Sequence, residues 1–322
     1  MMRLLSWLVS TGLAFGALTT AEAPANQLYQ PKLLTQLRDA YPHLSPDGTR
    51  VVFQSNRTGN WEIFTMKPDG SDVVQLTSNP AAEGTPKWSP DGRKIVFASE
   101  RDGNSEIYLF NADGSAVTRL TNHPGDDSHP SWSPDGTRII FNSPRTTPDL
   151  SVDWAQQWHE IFSMKLDGSD LRQHTHCRTI CTYPAWSPKG DKIAYRKVTA
   201  DPGFRWDMTM GKRNSEVFVA DLDGSNEVNL SNSAAYDGWP AWSPDGSQIL
   251  FSSNRDGVPN VGQLYLVNPD GSGLHRISTG IGSYVQGSWS RDGLNVYAYQ
   301  NWENDTEEFG NLVVFSLQRE ER

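Results

Sequence analysis

The sequence predicts an all-β chain folded as a six-bladed β-propeller. Three observations predict it. A pentapeptide of the form Trp-Ser-Pro-Asp-Gly recurs six times, the copies are spaced by lengths that suit one four-stranded blade, and a second Asp-Gly turn follows nearly every copy. Self-similarity at such a period marks an array whose sheets bury one another.

The amino-terminal residues stand apart from the repeat. Arg3, the apolar run from Leu4 to Leu18 and the small residues around Ala21, Ala23 and Ala25 read as a secretion signal. We expect a signal peptide over 1–25 and a propeller over 26–322, with cleavage after Ala25 and cleavage after Ala21 as the rival. The apolar run is too short to span a bilayer, and no cysteine near the cut is placed to carry a lipid. The expected protein is periplasmic or secreted, without a membrane anchor.

The six copies run from Leu44 to Gly48, Trp88 to Gly92, Trp132 to Gly136, Trp186 to Gly190, Trp242 to Gly246 and Trp289 to Gly293, with departures at Leu44, Lys189 and Arg291. Their serines stand at 45, 89, 133, 187, 243 and 290, giving spacings of 44, 44, 54, 56 and 47. Within a unit, a first strand ends at the anchor and Ser-Pro-Asp-Gly turns the chain into a second, apolar strand such as Arg138-Ile139-Ile140-Phe141. A third strand such as Glu106-Ile107-Tyr108-Leu109 ends in a second Asp-Gly turn and a short fourth strand follows. Hairpin chemistry, not calcium ligation, accounts for these Asp residues. The distance from the fourth strand to the next anchor is constant, so the extra residues of blades three and four, about ten and twelve, lie between their second and third strands. The last unit runs out after Leu312 to Leu317, whereas Lys32-Leu33-Leu34-Thr35 has fourth-strand character. The amino-terminal strand should therefore complete the last blade.

These units resemble the propeller repeats of the TolB family over about residues 30 to 317. That repeat also serves peptidases and carbohydrate-active enzymes, so the resemblance implies the fold more narrowly than the function. The resemblance implies that TolB itself carries an α/β domain before its propeller; we expect none in this chain, and expect no peptidase domain, since no Gly-x-Ser-x-Gly element marks one.

The net charge of −10 argues against nucleic acid as a partner. The only two cysteines, Cys177 and Cys181, suit a disulfide in an oxidising compartment, with free thiols as the alternative.

Both Asp-Gly turns of a blade fall on one end of the ring, here called the turn face; the loops of the other end form the variable face. Six tryptophans outside the signal and the anchors map to the variable face: Trp61, Trp154, Trp158, Trp206, Trp239 and Trp302. With His159 they are candidates for ligand contact; the alternative is that long loops use tryptophan to pack down on the blades. A ring of inner-strand residues, Tyr41, Thr85, His129, Tyr183, Trp239 and Gln286, precedes the anchors, and Asp39, Glu83, Asp127 and Asp237 precede that ring. Four carboxylates are thus expected around the channel mouth, either attracting a cation or capping backbone amides. Arg57, Arg101, Arg145 and Arg255 recur in register, as do Glu62, Glu106, Glu160 and Glu216, and are expected to pair within hairpins.

Two functions compete. The first is a module that binds a protein or peptide, with carbohydrate as a further ligand class, through the variable face. The second is a carbohydrate-active enzyme. The resemblance to oligogalacturonate lyases implies a metal held by several histidines; His129, His159, His174 and His176 are available here without a matching motif, and an acidic mouth would repel polyuronate. We expect no cofactor and no metal site, and no catalytic residue is assigned.

Overall fold

The computed structural model describes residues 28–200, 214–257, 261–279, 282–304 and 307–317. The expected signal peptide lies outside them. Among the described residues the strands form six four-stranded antiparallel sheets. The first contains Asp39–Leu44, Val51–Ser55, Glu62–Met66 and Val74–Gln75, and the next four repeat that order along the chain. The sixth contains Ser283–Trp289, Asn295–Asn304 and Glu307–Ser316, and its outermost strand is Pro31–Leu33. Pro31 pairs with Phe315 and Leu33 with Val313, and the Leu34 N–H donates to the Leu312 carbonyl at 2.8 Å. The ring closes as the sequence predicts.

The second strand of each blade is apolar on both faces because a propeller sheet has a neighbour on each side. Ile139 and Phe141 pack with Val96, Ile107 and Leu109 of the preceding blade, while Ile140 packs with Ile193 and Tyr195 of the following one. The same division recurs at the closing seam, where Tyr297 and Leu312 meet Val51, Phe53 and Phe64. Anchor tryptophans fill the inner ends of these seams. The indole N–H of Trp132 donates to the Lys87 carbonyl at 3.1 Å, that of Trp242 to Ala185 at 3.2 Å and that of Trp289 to Ala241 at 3.2 Å. Burial sets each blade against the one before it, and at these three seams a directional bond adds to it.

The Asp residues of the turns act as turn formers. Asp69 accepts from the Ser71 N–H at 2.9 Å and hydroxyl at 2.6 Å, and Gly70 sits at φ 91°, open to glycine at little steric cost. The blade-three insertion falls between its second and third strands as expected. In blade four the same two strands are lengthened, Lys192–Ala200 and Asn214–Asp221, and in blade six they reach ten residues each. The blade-six extension escaped the sequence reading because no seventh anchor follows it to reveal the excess.

Candidate functional site

The centre of the propeller is built by one backbone irregularity repeated six times. Tyr41, Thr85, His129, Tyr183, Trp239 and Gln286 all have φ between 52° and 57°, and the pairing of first with second strand slips around each of them. Such a bulge inserts one residue and turns its side chain off the regular alternation. A non-glycine residue in this region costs on the order of 1 kcal/mol, sustained here by the packed ring around it.

Turned this way, the aromatic members converge. The rings of Tyr41 and His129, from blades one and three, have centroids 6.3 Å apart, so they meet across the axis. His129 contacts Tyr183 at 4.1 Å, Tyr183 contacts Trp239 at 5.4 Å, and Trp239 contacts Tyr236 at 5.3 Å. Gln286 accepts from the Tyr41 N–H at 3.0 Å. Trp61 packs against the edge of this cluster. Burial pushes the Tyr41 phenol up to about 12 and the His129 imidazole down to about 3, so both are neutral at pH 7. Beneath the cluster lies Arg196, 1% exposed, its guanidinium 4.8 Å from the Tyr183 ring and donating to the Tyr236 hydroxyl at 2.7 Å.

The expected acidic mouth is absent. Asp39, Glu83, Asp127 and Asp237 are each at most 1% exposed and turn away from the channel into their own blades. Their partners are the recurring arginines: Arg57 reaches Asp39 at 2.9 Å, Arg145 reaches Asp127 at 2.8 Å, Arg255 reaches Asp237 at 3.0 Å, and Arg101 pairs with Glu83. The expected pairing of these arginines with Glu62, Glu106, Glu160 and Glu216 is therefore corrected. Those glutamates cap the loops leaving the outer strands. Glu62 accepts from the Thr77 hydroxyl at 2.6 Å and the Asn79 N–H at 2.6 Å; Glu160 accepts from Thr175 at 2.6 Å and the Cys177 N–H at 2.9 Å. Each arginine also donates to a second-strand serine and lies over two aromatic rings, as Arg145 does over Phe141 at 5.2 Å and Phe162 at 5.0 Å.

The channel itself has a volume of about 540 Å³. The ring residues line one end, the anchor prolines line the turn-face end, and among the described residues no carboxylate lies between them.

A second feature joins blades three and four on the variable face. Trp154 opens a short 3-10 turn, Trp154–Gln156, stacks on His159 at 4.2 Å, and packs with Ala155 on Ile180 and Val198. The Arg178 guanidinium lies 5.8 Å from the Trp158 ring. Trp154 and Trp158 remain half-buried, so the insertion both packs down and leaves aromatic surface. His159 is buried, and its pKa falls to about 3, chiefly through burial, with His129 and Arg196 adding to it. Cys177 and Cys181 are bonded to each other, with Cα atoms 6.6 Å apart. The five-residue loop they close limits the bond's effect: replacing both by alanine should cost roughly 2 kcal/mol. Urea denaturation checks this, and an unchanged midpoint would contradict it. Among the described residues the one group able to offer three metal-ligand atoms is Glu160 with these two cysteines, whose sulfurs are already joined. His174 is engaged elsewhere, contacting the Leu222 carbonyl at 2.6 Å and Ser163 at 2.8 Å. Trp206 lies outside the described residues, and Trp302 is placed only as a position in Asn295–Asn304.

A family model described as the TolB beta propeller domain matches residues 34–106, 80–199 and 207–316. The chain belongs to the TolB β-propeller family. A TolB homologue of Chlorobium luteolum is 30% identical over 132 residues, which are 32% of this chain and 30% of that protein. The Tol-Pal system protein TolB of Syntrophus aciditrophicus is 40% identical over 60 residues, 19% of this chain and 13% of the relative. The chain thus aligns with less than a third of either relative. Among solved structures, a putative TolB from Agrobacterium tumefaciens superposes with TM-score 0.65 at 22% identity, covering 87% of this chain and 91% of that one. An oligogalacturonate lyase of Vibrio parahaemolyticus superposes with TM-score 0.57 at 12% identity, covering 89% and 93%. At these identities the superpositions speak for the fold alone.

Within this TolB-family propeller, Arg196 and Tyr236 are the central residues that sequence reading passed over. A signal existed for Arg196. Strand pairing places it where the other blades hold Gln54, Ala98, Asn142, Ser252 and Tyr299, so it is the one charge at that repeat position.

Proposed function

We propose that this chain is an exported TolB-like propeller that binds a protein or peptide segment on its variable face, between the central aromatic cluster and the rim where blade three meets blade four. The observation that carries the reading is the gathering of Tyr41, His129, Trp61, Trp154 and Trp158 as half-buried rings on one face of a rigid scaffold. Large, stiff aromatic side chains contribute contact area at low entropic cost and are frequent anchors of binding surfaces. The bonded cysteines suit the oxidising compartment that the signal-like residues 1–25 imply. The family supports a protein partner by analogy, two of its members being named as TolB proteins.

The test is recovery of partners from the native cell envelope by the mature protein and by a Trp154→Ala/Trp158→Ala double variant. At least tenfold weaker capture with an unchanged melt is expected; equal capture by both proteins would remove the rim from the site.

The carbohydrate-active alternative is kept for one reason. With the four carboxylates buried and paired, the charge objection to a polyuronate disappears. Stoichiometric manganese, zinc or calcium in the purified protein would favour it over the binding module.

A further inference from the structure

The axial channel has a charge opposite to that of the whole chain. The sequence carries a net −10, yet the channel is lined by Lys87, His43, His129 and, at its turn-face mouth, Arg291, with no Asp or Glu among the described residues of its walls. Arg291 is one of the departures from the repeat: it stands where the other five blades carry Pro46, Pro90, Pro134, Pro188 and Pro244. It is exposed, and its Nη1 reaches the Pro46 carbonyl at 3.4 Å, holding it across the closing seam. Deeper in, Lys87 projects from the inner strand of blade two. Next to it, the His43 Nδ1 accepts from the Trp88 N–H at 3.2 Å. A neutral imidazole accepting at Nδ1 carries its proton on Nε2, which leaves His43 a donor. At the far end the aromatic rings meet across the axis, so the channel is a blind pocket entered from the turn face.

We propose that this channel is a binding site for a carboxylate group, drawn in by Arg291 and held by the Lys87 ammonium with the His43 Nε2–H as a second donor. The site is distinct from the variable-face surface proposed above, and either can fail without the other. A cavity of about 540 Å³ accommodates a small polycarboxylate or the end of an acidic peptide. A low-dielectric wall strengthens the ammonium–carboxylate attraction, and a carboxylate would supply the counter-charge that Lys87 lacks among its neighbours.

Burial alone, with no carboxylate to oppose it, brings Lys87 down to about 8. The other titratable groups facing the channel are His43 and His129, both held neutral by burial, the phenols of Tyr41 and Tyr183, both raised, and Arg291. The turn carboxylates Asp47, Asp91, Asp135, Asp245 and Asp292 each accept the hydroxyl of their own anchor serine and lie outside the lining. Affinity should therefore be flat through pH 6.5 and fall as pH rises above about 8, where Lys87 loses its proton in the free protein.

Calorimetric titration of the full mature chain with citrate and with triglutamate distinguishes a free polycarboxylate from an acidic peptide as the source of the group. Saturable binding of either, weakened at least tenfold in Lys87→Met and restored to within a few-fold in Lys87→Arg, is the expected result. Lys87→Met should melt no lower than the parent, because it removes a half-buried charge that makes no ion pair among the described residues. Arg291→Pro, the residue of the other five blades, is the second variant and should weaken binding several-fold in an intact fold. Absence of binding by both probes, or an affinity unchanged in Lys87→Met and Arg291→Pro, would overturn the proposal.

Discussion

Arg145→Met should destabilise the propeller by about 3–5 kcal/mol at neutral pH, because it strips the counter-charge from a carboxylate that water cannot reach. Asp127 is 0% exposed and accepts from the Arg145 Nη2 at 2.8 and 3.1 Å; the Arg145 Nε holds the Ser143 hydroxyl at 2.8 Å. Methionine retains part of the contact with Phe141 and Phe162 and none of the charge. Burial already pushes the Asp127 carboxyl above its ordinary value, against the pull of Arg145. Without the guanidinium it rises further. A carboxyl whose folded pKa exceeds its unfolded one stabilises the fold when protonated and loses that contribution as pH rises through the folded value. The deficit of the variant should accordingly shrink as pH falls from 7 toward 5. Urea denaturation at both pH values measures it. A loss under 1 kcal/mol at pH 7, or a deficit that widens on acidification, would show that the pair is not what holds the inner end of this blade. Asp127→Asn in the Arg145→Met background should recover part of the loss.

Deletion of residues 30–35 should lower stability by roughly 4 kcal/mol, counting about 1 kcal/mol for each of some four hydrogen bonds that leave with the strand. Pro31–Leu33 pairs with Glu307–Ser316, the Leu34 N–H bonds the Leu312 carbonyl at 2.8 Å, and the Thr35 hydroxyl accepts from the Leu312 N–H at 3.0 Å. Removing them breaks the strand pairing that joins the two ends of the chain and exposes an unpaired edge, so self-association should rise as well. Thermal denaturation and light scattering of the truncated mature protein measure both. A melt equal to that of the full chain would mean that side-chain packing between blades six and one closes the ring without the strand.

Of the candidate site, the residue types were legible and their grouping only in part. Trp154, His159 and the cysteine loop come together because they are near in sequence and share one blade junction. Asp39 and Arg57 are a different case. The bulge at Tyr41 sits between Asp39 and the anchor, and strand pairing opposite Ser55 brings Asp39 to the arginine two residues further on. Read by alternation alone, that carboxylate faces the channel and the arginine is left to Glu62. A single residue in a left-handed conformation reverses both assignments.

The sequence by itself determined the blade count, the turn after each anchor and the closing strand, because each depends on short-range chemistry repeated at a fixed period, whereas it left Cys177 and Cys181 as a disulfide or two thiols until the structure joined them. Turn residues need particular φ values, and a strand buried on both faces must be continuously apolar, so these features are written into neighbouring residues. Only the tertiary structure decided that Tyr41 and His129 meet across the axis, that Arg196 lies beneath them, and that the channel is cationic while the chain is acidic. Those outcomes depend on how six bulges aim their side chains once the ring has closed, a sum over residues up to 245 positions apart that no local pattern records.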